Sequence, residues 1–152
     1  MSASKRACDL RLGRYSGDGQ IYLLTSVVHG RQPLFSNWLA GRLVVDEFRR
    51  VQQEGIADSL AWVVMPDHFH WLVRLRQGNL GMLMRRVKSG SALAIMRSGH
   101  TPLRVWQKGY HDRAVRREED LQAIARYIVA NPLRAGLVKR VGDYPLWDAV
   151  WL

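Results

Sequence analysis

The sequence predicts an α+β fold in which helices pack mainly on one face of an antiparallel sheet. Segments rich in β-branched and aromatic residues alternate with segments whose apolar residues recur at helical spacing, in the order β-α-β-β-α-β-α. The second and third strands are separated only by Pro66 and Asp67, a link short enough for a hairpin. Strands and helices that interleave around a hairpin are typical of a ferredoxin-like sandwich, and this is the architecture that we expect.

The first half of the chain contains three predicted strands and one helix. Residues 20–28, QIYLLTSVV, have the composition of a strand. Residues 38–55 carry apolar side chains at helical spacing, and Gly55 ends the predicted helix. The two hairpin strands follow over residues 56–65 and 68–75.

The second half contains two further helices with a short β segment between them. Residues 79–99 predict a helix, whose interior Gly90 is a candidate for a break or kink. Residues 104–115 predict one or two short strands. The third helix opens with acidic residues at 118–120, where negative charge suits the helix dipole, and it ends near Pro132.

Length and composition favour one domain flanked by two short segments. We expect a basic N-terminal arm over residues 1–19, the domain over residues 20–145, and a C-terminal tail over residues 146–152 that packs back on the domain. The single cysteine, Cys8, excludes an intramolecular disulfide and a cysteine-based zinc site. The sequence has neither a secretory signal nor an apolar run long enough to span a membrane, which predicts a cytoplasmic protein without a membrane partner.

The positive charge of the chain is concentrated in one segment. Residues 74–117 carry eleven Lys or Arg and one acidic residue, so they hold the whole net charge of +10. A basic segment of this kind indicates a polyanionic partner, with nucleic acid favoured over a membrane surface. A solvated basic face without a partner is the alternative.

Two histidines lie two positions apart in the third predicted strand. Side chains alternate faces along a strand, so His68 and His70 point the same way, and Arg74 follows on that face. Two imidazoles at this spacing can share one divalent metal ion. Ordinary histidines on a half-exposed strand are the alternative.

The third helix offers two further polar groups. Tyr127 and Asn131 are four residues apart and therefore share one helical face, at the edge of an apolar stripe. An asparagine oxygen is a suitable ligand for a hard cation, and a tyrosine hydroxyl can be a nucleophile or contact a substrate. Taken singly, Tyr127 also fits a boundary aromatic and Asn131 a helix cap before Pro132. Together with the histidines and the basic segment, they indicate metal-assisted phosphoryl transfer on nucleic acid through a phosphotyrosine.

Three stretches of the sequence resemble one known family. MPDHFHWLV resembles the HUH motif (His, hydrophobic, His) of single-tyrosine HUH endonucleases, and ARYIVANPLRAGLV resembles the helix that carries their nucleophilic tyrosine. WQKGYHDRAVRREEDL, between them, resembles the pattern of REP-associated tyrosine transposases. The three stretches follow in the order of the family, and the resemblance covers about residues 20–145.

The resemblance implies a fold, a site and a reaction. It implies a ferredoxin-like fold with the two histidines on a central strand, and Mg²⁺ or Mn²⁺ held by His68, His70 and Asn131, where many relatives have Gln in place of Asn. It implies that Tyr127 cleaves single-stranded DNA to give a 5′-phosphotyrosine and a free 3′-hydroxyl, followed by strand transfer in DNA transposition. The implied partner is single-stranded or hairpin DNA of the REP palindrome type. The protein would act as a monomer or homodimer in the cytoplasm, associated with the nucleoid.

Candidate DNA contacts come from the arm, the third strand, the second helix, and the later β segment with the residues that follow it. They are Arg6, Arg11, Arg14, Arg74, Arg85, Arg86, Lys88, Arg113, Arg116 and Arg117. His111 follows the WQKGY run and is expected to be a surface histidine, although it is also placed to approach the site.

Two other functions remain open from the residues alone. One is a module that binds DNA hairpins without cutting them, since phosphate contacts and base stacking need no metal. The other is a hydrolase with a His-x-His metal site. The hydrolase is disfavoured because no carboxylate or third histidine has a companion spacing.

Overall fold

The computed structural model describes residues 19–99, 104–116 and 119–151. The strands are β1 (Ile21–Val27), β2 (Ala57–Met65), β3 (His68–Leu75), β4 (His111–Ala114) and β5 (Trp147–Ala149). The helices are α1 (Trp38–Gln53), α2 (Leu80–Arg97), α3 (Leu121–Val129) and α4 (Asn131–Arg134). Short 3₁₀ turns lie at His29–Arg31, Leu34–Ser36 and Val141–Asp143. None of the helices in these ranges is both long and apolar enough to cross a membrane.

The strands form a single antiparallel sheet in the order β4-β1-β3-β2-β5. The predicted α+β architecture is confirmed, and β3, with His68 and His70, is the middle strand. The segment expected to be a tail supplies β5, which pairs with β2 at one edge. The segment predicted as one or two short strands contains one strand, β4, and Trp106 in the same segment forms an isolated bridge with Val28.

One face of the sheet packs against the two long helices. Phe48 of α1 stacks on Trp71 of β3 with ring centroids 4.3 Å apart, and meets Phe69 edge-on at 5.1 Å. Trp106 also meets Phe69, at 5.4 Å. Because α2 packs on α1, this face is covered by a layer of two helices over an aromatic core.

Helix α2 runs without interruption through Gly90, so the break expected there does not occur. Gly90 lies where α2 crosses α1, against the buried carboxylate of Glu47, which also pairs with Arg50. A β-carbon at residue 90 would collide with that carboxylate. The glycine therefore serves close helix packing, and its lower helix propensity is offset by the contacts of α2 with α1.

The opposite face of the sheet carries the histidines and is covered in part by α3. Val63 and Leu72 are fully buried on this face, in register with the histidines, and α3 contacts β2, β3 and β5. Asp120 caps the helix by accepting a hydrogen bond from the backbone N–H of Ala123 at 3.1 Å. Of the acidic residues predicted to open this helix, Asp120 is the N-cap and the helix begins at Leu121, while residue 118 lies outside the described residues.

The end of α3 differs from the expectation. The helix ends at Val129, and a second helix, α4, starts at Asn131 with Pro132 in its first turn. Proline suits that position because the first turn of a helix leaves its N–H groups without intrahelical partners. Pro132 therefore lies at the start of a helix, where the sequence alone predicted a stop.

Candidate metal and nucleophile site

The two histidines of β3 form the centre of the candidate site. Their rings are 4.9 Å apart between centroids and nearly perpendicular, at 77°. Both point to the α3 side of the sheet, while Phe69 between them is buried on the α1 side. The alternation that the sequence predicts for this strand is therefore present in the structure.

Each histidine uses its Nδ1 atom to contact a neighbouring side chain. His70 Nδ1 is 2.8 Å from Oγ1 of Thr25, which lies directly opposite it on β1. His68 Nδ1 is 2.6 Å from Oδ1 of Asp67. The Asp67 carboxylate can only accept, so the shared proton lies on His68 Nδ1 and the Nε2 atom is the metal-binding position. The Thr25 hydroxyl can accept from His70 Nδ1 in the same way.

The electrostatics favour a neutral imidazole at His70. Burial lowers the pKa of His70 to about 4, and the charges of His68 and Arg134 act in the same direction. At neutral pH the ring is therefore unprotonated and can donate its lone pair to a metal ion.

Asp67 is held in turn by Arg31, whose Nη1 atom donates to Asp67 Oδ2 at 2.9 Å. Burial by itself raises the pKa of Asp67, but hydrogen bonds with His68 and Arg31 lower it overall. Arg31 has a positive φ of 51°, an uncommon conformation for a residue with a side chain. Asp67 is thus an ionised partner of His68 and not only part of the hairpin turn.

Sequence reasoning missed Asp67 and Thr25. Asp67 directly precedes the first histidine, but Pro66-Asp67 also has the composition of a turn, and the turn explained it fully. Thr25 could have been found only from the register between β1 and β3, which no pattern in the sequence gives.

Tyr127 lies in the last turn of α3 and is 64% exposed. The guanidinium carbon of Arg134 is 3.6 Å from the centroid of its ring. Arg134 Nη2 also donates to the backbone oxygen of Tyr127 at 2.6 Å. The tyrosine hydroxyl is therefore accessible, while its ring and backbone are both in contact with one arginine.

Asn131 is the first residue of α4 and not a cap that ends a helix. Its Oδ1 atom accepts a hydrogen bond from Arg134 Nη2 at 2.8 Å. Its Nδ2 atom is buried and has no hydrogen-bond partner among the residues that the structure describes. Tyr127 and Asn131 belong to two successive helices and not to the single helical face that their spacing predicts, and both contact Arg134.

The donor set suits a divalent cation. His68 and His70 offer two imidazole nitrogens on one face, and the amide of Asn131 offers an oxygen that now contacts Arg134. Within the described ranges no group of three or more His, Cys, Asp or Glu could hold a metal. Two imidazoles and an amide oxygen leave coordination positions open for a phosphate and for water, as metal-assisted phosphoryl transfer requires. The three-residue ligand set remains a prediction.

Several of the predicted DNA contacts have partners inside the protein. Arg86 pairs with both carboxylate oxygens of Glu54, at 2.8 and 2.5 Å. Lys88 donates to two backbone oxygens in the segment before β4, and burial together with the charge of Arg104 lowers its pKa. Arg113 pairs with Glu119 at 2.8 Å. These contacts stabilise the fold locally, and a DNA phosphate would have to compete with them.

The other predicted contacts divide by exposure. Arg74 lies on the histidine face as predicted but is only 5% exposed, which disfavours a contact with DNA at that residue. Arg85 and Arg116 are exposed. Arg6, Arg11, Arg14 and Arg117 lie outside the described residues. His111 is exposed and pairs with Thr25 across β4 and β1, so it is a surface residue at the border of the histidine face.

Comparison with known proteins identifies the family. The family model described as "Transposase IS200 like" matches residues 19–131. The chain belongs to the IS200-like transposase family. Its sequence is 31% identical over 98 residues to a REP-associated tyrosine transposase of Escherichia coli K12, covering 63% of this chain and 56% of that protein. The chain therefore spans little more than half the length of this relative.

Two solved structures are similar to this chain in fold. One is a REP-associated tyrosine transposase bound to a REP hairpin, with a TM-score of 0.69, 25% identity, and coverage of 88% of this chain and 79% of that chain. Another is a candidate transposase from Deinococcus radiodurans, with a TM-score of 0.54, 23% identity, and coverage of 71% and 87%. The second shows a similar fold. The first, with the E. coli relative, confirms the resemblance to REP-associated tyrosine transposases.

Proposed function

We propose that this protein nicks and rejoins single-stranded DNA at REP-type hairpins, in the manner of the REP-associated tyrosine transposases. The observation that carries the proposal is the pair of histidines with both Nδ1 atoms engaged and both Nε2 atoms left for a metal ion. An accessible tyrosine on a helix that covers the same face supplies the nucleophile that such a site needs.

The residues divide the reaction between them. His68, His70 and Asn131 would hold Mg²⁺ or Mn²⁺, which supplies Lewis-acid polarisation of the scissile phosphodiester when bound. The Tyr127 hydroxyl loses its proton to water, its oxygen attacks the phosphorus, and the bond from phosphorus to O3′ breaks. O3′ takes up a proton and leaves as a free 3′-hydroxyl, and the phosphorus remains bonded to tyrosine as a 5′-phosphotyrosine. Attack by another 3′-hydroxyl on this ester joins two strands and releases the tyrosine.

The proposed substrate follows from charge and from the solved relative. That relative was solved bound to a REP hairpin, and all of the excess positive charge of this chain lies in residues 74–117. Phosphate contacts of this kind make binding strongly dependent on salt. We therefore expect hairpin binding that weakens steeply as the salt concentration rises.

A nicking assay with a covalent readout tests the proposal. A labelled single-stranded hairpin oligonucleotide is incubated with the protein and Mn²⁺ or Mg²⁺, and the protein–DNA adduct is resolved under denaturing conditions. Wild type and a Tyr22→Phe control, which loses a hydroxyl on the opposite face, are expected to form the adduct. Tyr127→Phe is expected to form none, and His70→Ala is expected to lose metal-dependent cleavage.

The other outcomes point to other functions. An adduct that persists in Tyr127→Phe would refute the assignment of the nucleophile. Metal-dependent cleavage without any adduct would indicate a hydrolase. Salt-sensitive hairpin binding without cleavage in wild type would indicate a binding module and refute the proposed reaction.

A further inference from the structure

One side chain outside the predicted site contacts both residues that the helices contribute to it. Arg134 Nη2 donates to Asn131 Oδ1 at 2.8 Å and to the backbone oxygen of Tyr127 at 2.6 Å. Its guanidinium carbon lies 3.6 Å from the centroid of the Tyr127 ring. A planar guanidinium can make these contacts together because it stacks through its face and donates through its edge.

We propose that Arg134 is a positioning residue for Tyr127 and that its guanidinium competes with the metal ion for the side-chain oxygen of Asn131. The inference rests on the proposed function, since it assigns a role to Arg134 only within that site.

The positioning role follows from the exposure of the nucleophile. A tyrosine that is 64% exposed can change rotamer unless a contact restrains its side chain. Stacking of Arg134 on one face of the ring restrains the side chain while the hydroxyl stays accessible. Because nucleophilic attack depends steeply on the alignment of the reacting atoms, loss of this restraint should slow the reaction with metal and DNA still bound.

The competition follows from the contacts of Asn131. Its oxygen accepts from Arg134, while its buried Nδ2 has no partner among the described residues, so the contact with Arg134 holds the amide in this orientation. A metal ion that binds here must release the Asn131 oxygen from Arg134 and approach a positive charge.

When the Asn131 oxygen is released to a metal ion, the Arg134 guanidinium is left beside the reacting tyrosine. Arg134 would remain close to Tyr127, where the phosphate becomes attached during cleavage. Arginine binds phosphate oxygens through charge-assisted hydrogen bonds. The same residue would thus restrain the tyrosine before cleavage and contact the phosphate after it.

Mn²⁺ titration and adduct formation, measured separately, test the inference. Arg134→Met keeps an unbranched side chain but has neither charge nor donor. Arg134→Lys keeps the charge without the planar fork. The matched control is Arg126→Met, which removes an exposed arginine from the same helix as Tyr127. Calorimetry gives the Mn²⁺ affinity of the metal-free protein, and the hairpin assay at saturating Mn²⁺ gives the rate of adduct formation.

The expected results have opposite signs. Arg134→Met should bind Mn²⁺ about three- to tenfold more tightly, since a hydrogen bond no longer has to be exchanged. It should also form the adduct at least about tenfold more slowly. Arg134→Lys should form the adduct slowly without the full gain in Mn²⁺ affinity, and Arg126→Met should match wild type in both. A purely structural role for Arg134 would weaken both metal binding and cleavage.

Unchanged or weaker Mn²⁺ binding in Arg134→Met would overturn the competition, as would a wild type that binds no Mn²⁺. Adduct formation at the wild-type rate in both Arg134 variants would overturn the positioning role. If wild type binds Mn²⁺ but forms no adduct, the proposed reaction and the positioning role both fail, while the Mn²⁺ titration still decides the competition.

Discussion

Replacing Asp67 by asparagine tests whether the histidines are oriented as ligands before a metal binds. Asp67 Oδ1 lies 2.6 Å from His68 Nδ1, so the carboxylate accepts the Nδ1–H and leaves the lone pair on Nε2. An asparagine at this position can donate its NH₂ group to Nδ1. The ring would then carry its proton on Nε2, the atom that the metal needs.

The expected loss of metal affinity depends on how exposed the Asp67–His68 pair is. Loss of a partner that orients a metal-binding histidine typically costs about 10- to 100-fold in metal affinity, or about 1.4 to 2.7 kcal/mol. The side chains of His68 and Asp67 are 21% and 25% exposed, and Arg31 shares the carboxylate. Since water can replace part of a contact at that exposure, we expect a loss near the lower limit, about tenfold.

Calorimetric titration of the metal-free protein with Mn²⁺ measures this loss. The matched control is Asp58→Asn, which breaks another aspartate–arginine pair, with Arg76 at 2.6 Å, on a neighbouring strand. Saturating Mn²⁺ should restore adduct formation to Asp67→Asn, because Tyr127 and Asn131 are unchanged. Equal Mn²⁺ affinity in wild type and Asp67→Asn would refute the reasoning, and so would an equal loss in Asp58→Asn.

Three further changes test other contacts of the fold and site. Thr25→Val removes the hydroxyl that contacts the second histidine and should weaken Mn²⁺ binding about tenfold in the same titration, whereas Thr25→Ser should not. Gly90→Ala should lower the free energy of unfolding in urea by about 1 to 3 kcal/mol, because the new methyl group meets Glu47, whereas Gly142→Ala has open space and should not. Burial raises the pKa of Tyr144 to about 12, above its ordinary value near 10. Wild type should therefore lose stability as the pH rises from about 10 to 12, because the unfolded chain releases the tyrosine proton first. Tyr144→Phe should lose less stability over that interval. At neutral pH the variant should be about 1 kcal/mol less stable than wild type, because it lacks the hydrogen bond from the tyrosine hydroxyl to a β2 carbonyl. An equal loss of unfolding free energy for both proteins, measured with urea at those pH values, would contradict the raised pKa of Tyr144.

The sheet and its histidines could be predicted because their signals are local. Alternation along residues 68–75 and the short link before them determine the hairpin and the face of each side chain. The edge strand β5 could not be predicted in this way, because its three residues are too few to show a period. It forms because its backbone pairs with β2, a contact between positions far apart in the chain.

The parts of the site that escaped prediction depend on contacts between distant segments. Charge counting places Arg86 among the candidate DNA contacts, yet its partner Glu54 lies 32 residues away and is visible only in the fold. A proline such as Pro132 that follows a helical segment fits two situations equally well, the end of that helix and the first turn of a new one. The structure distinguishes the two because the chain turns at Ala130 and continues as α4.

The two halves of the site differ in how firmly the fold holds them. His68 and His70 lie on the middle strand of the sheet, with strands paired on both sides and a hydrogen-bonding partner for each ring. Tyr127 lies in the last turn of a nine-residue helix, exposed, with Arg134 stacked on its ring. The proposed reaction passes through a covalent intermediate, and it therefore makes different demands on the two halves of the site. In the proposed reaction the two histidines keep their positions through cleavage and rejoining, whereas Tyr127, with Asn131 on the next helix, carries the attached strand while another 3′-hydroxyl replaces the first. A rigid strand suits the first task and a short, exposed helix end suits the second.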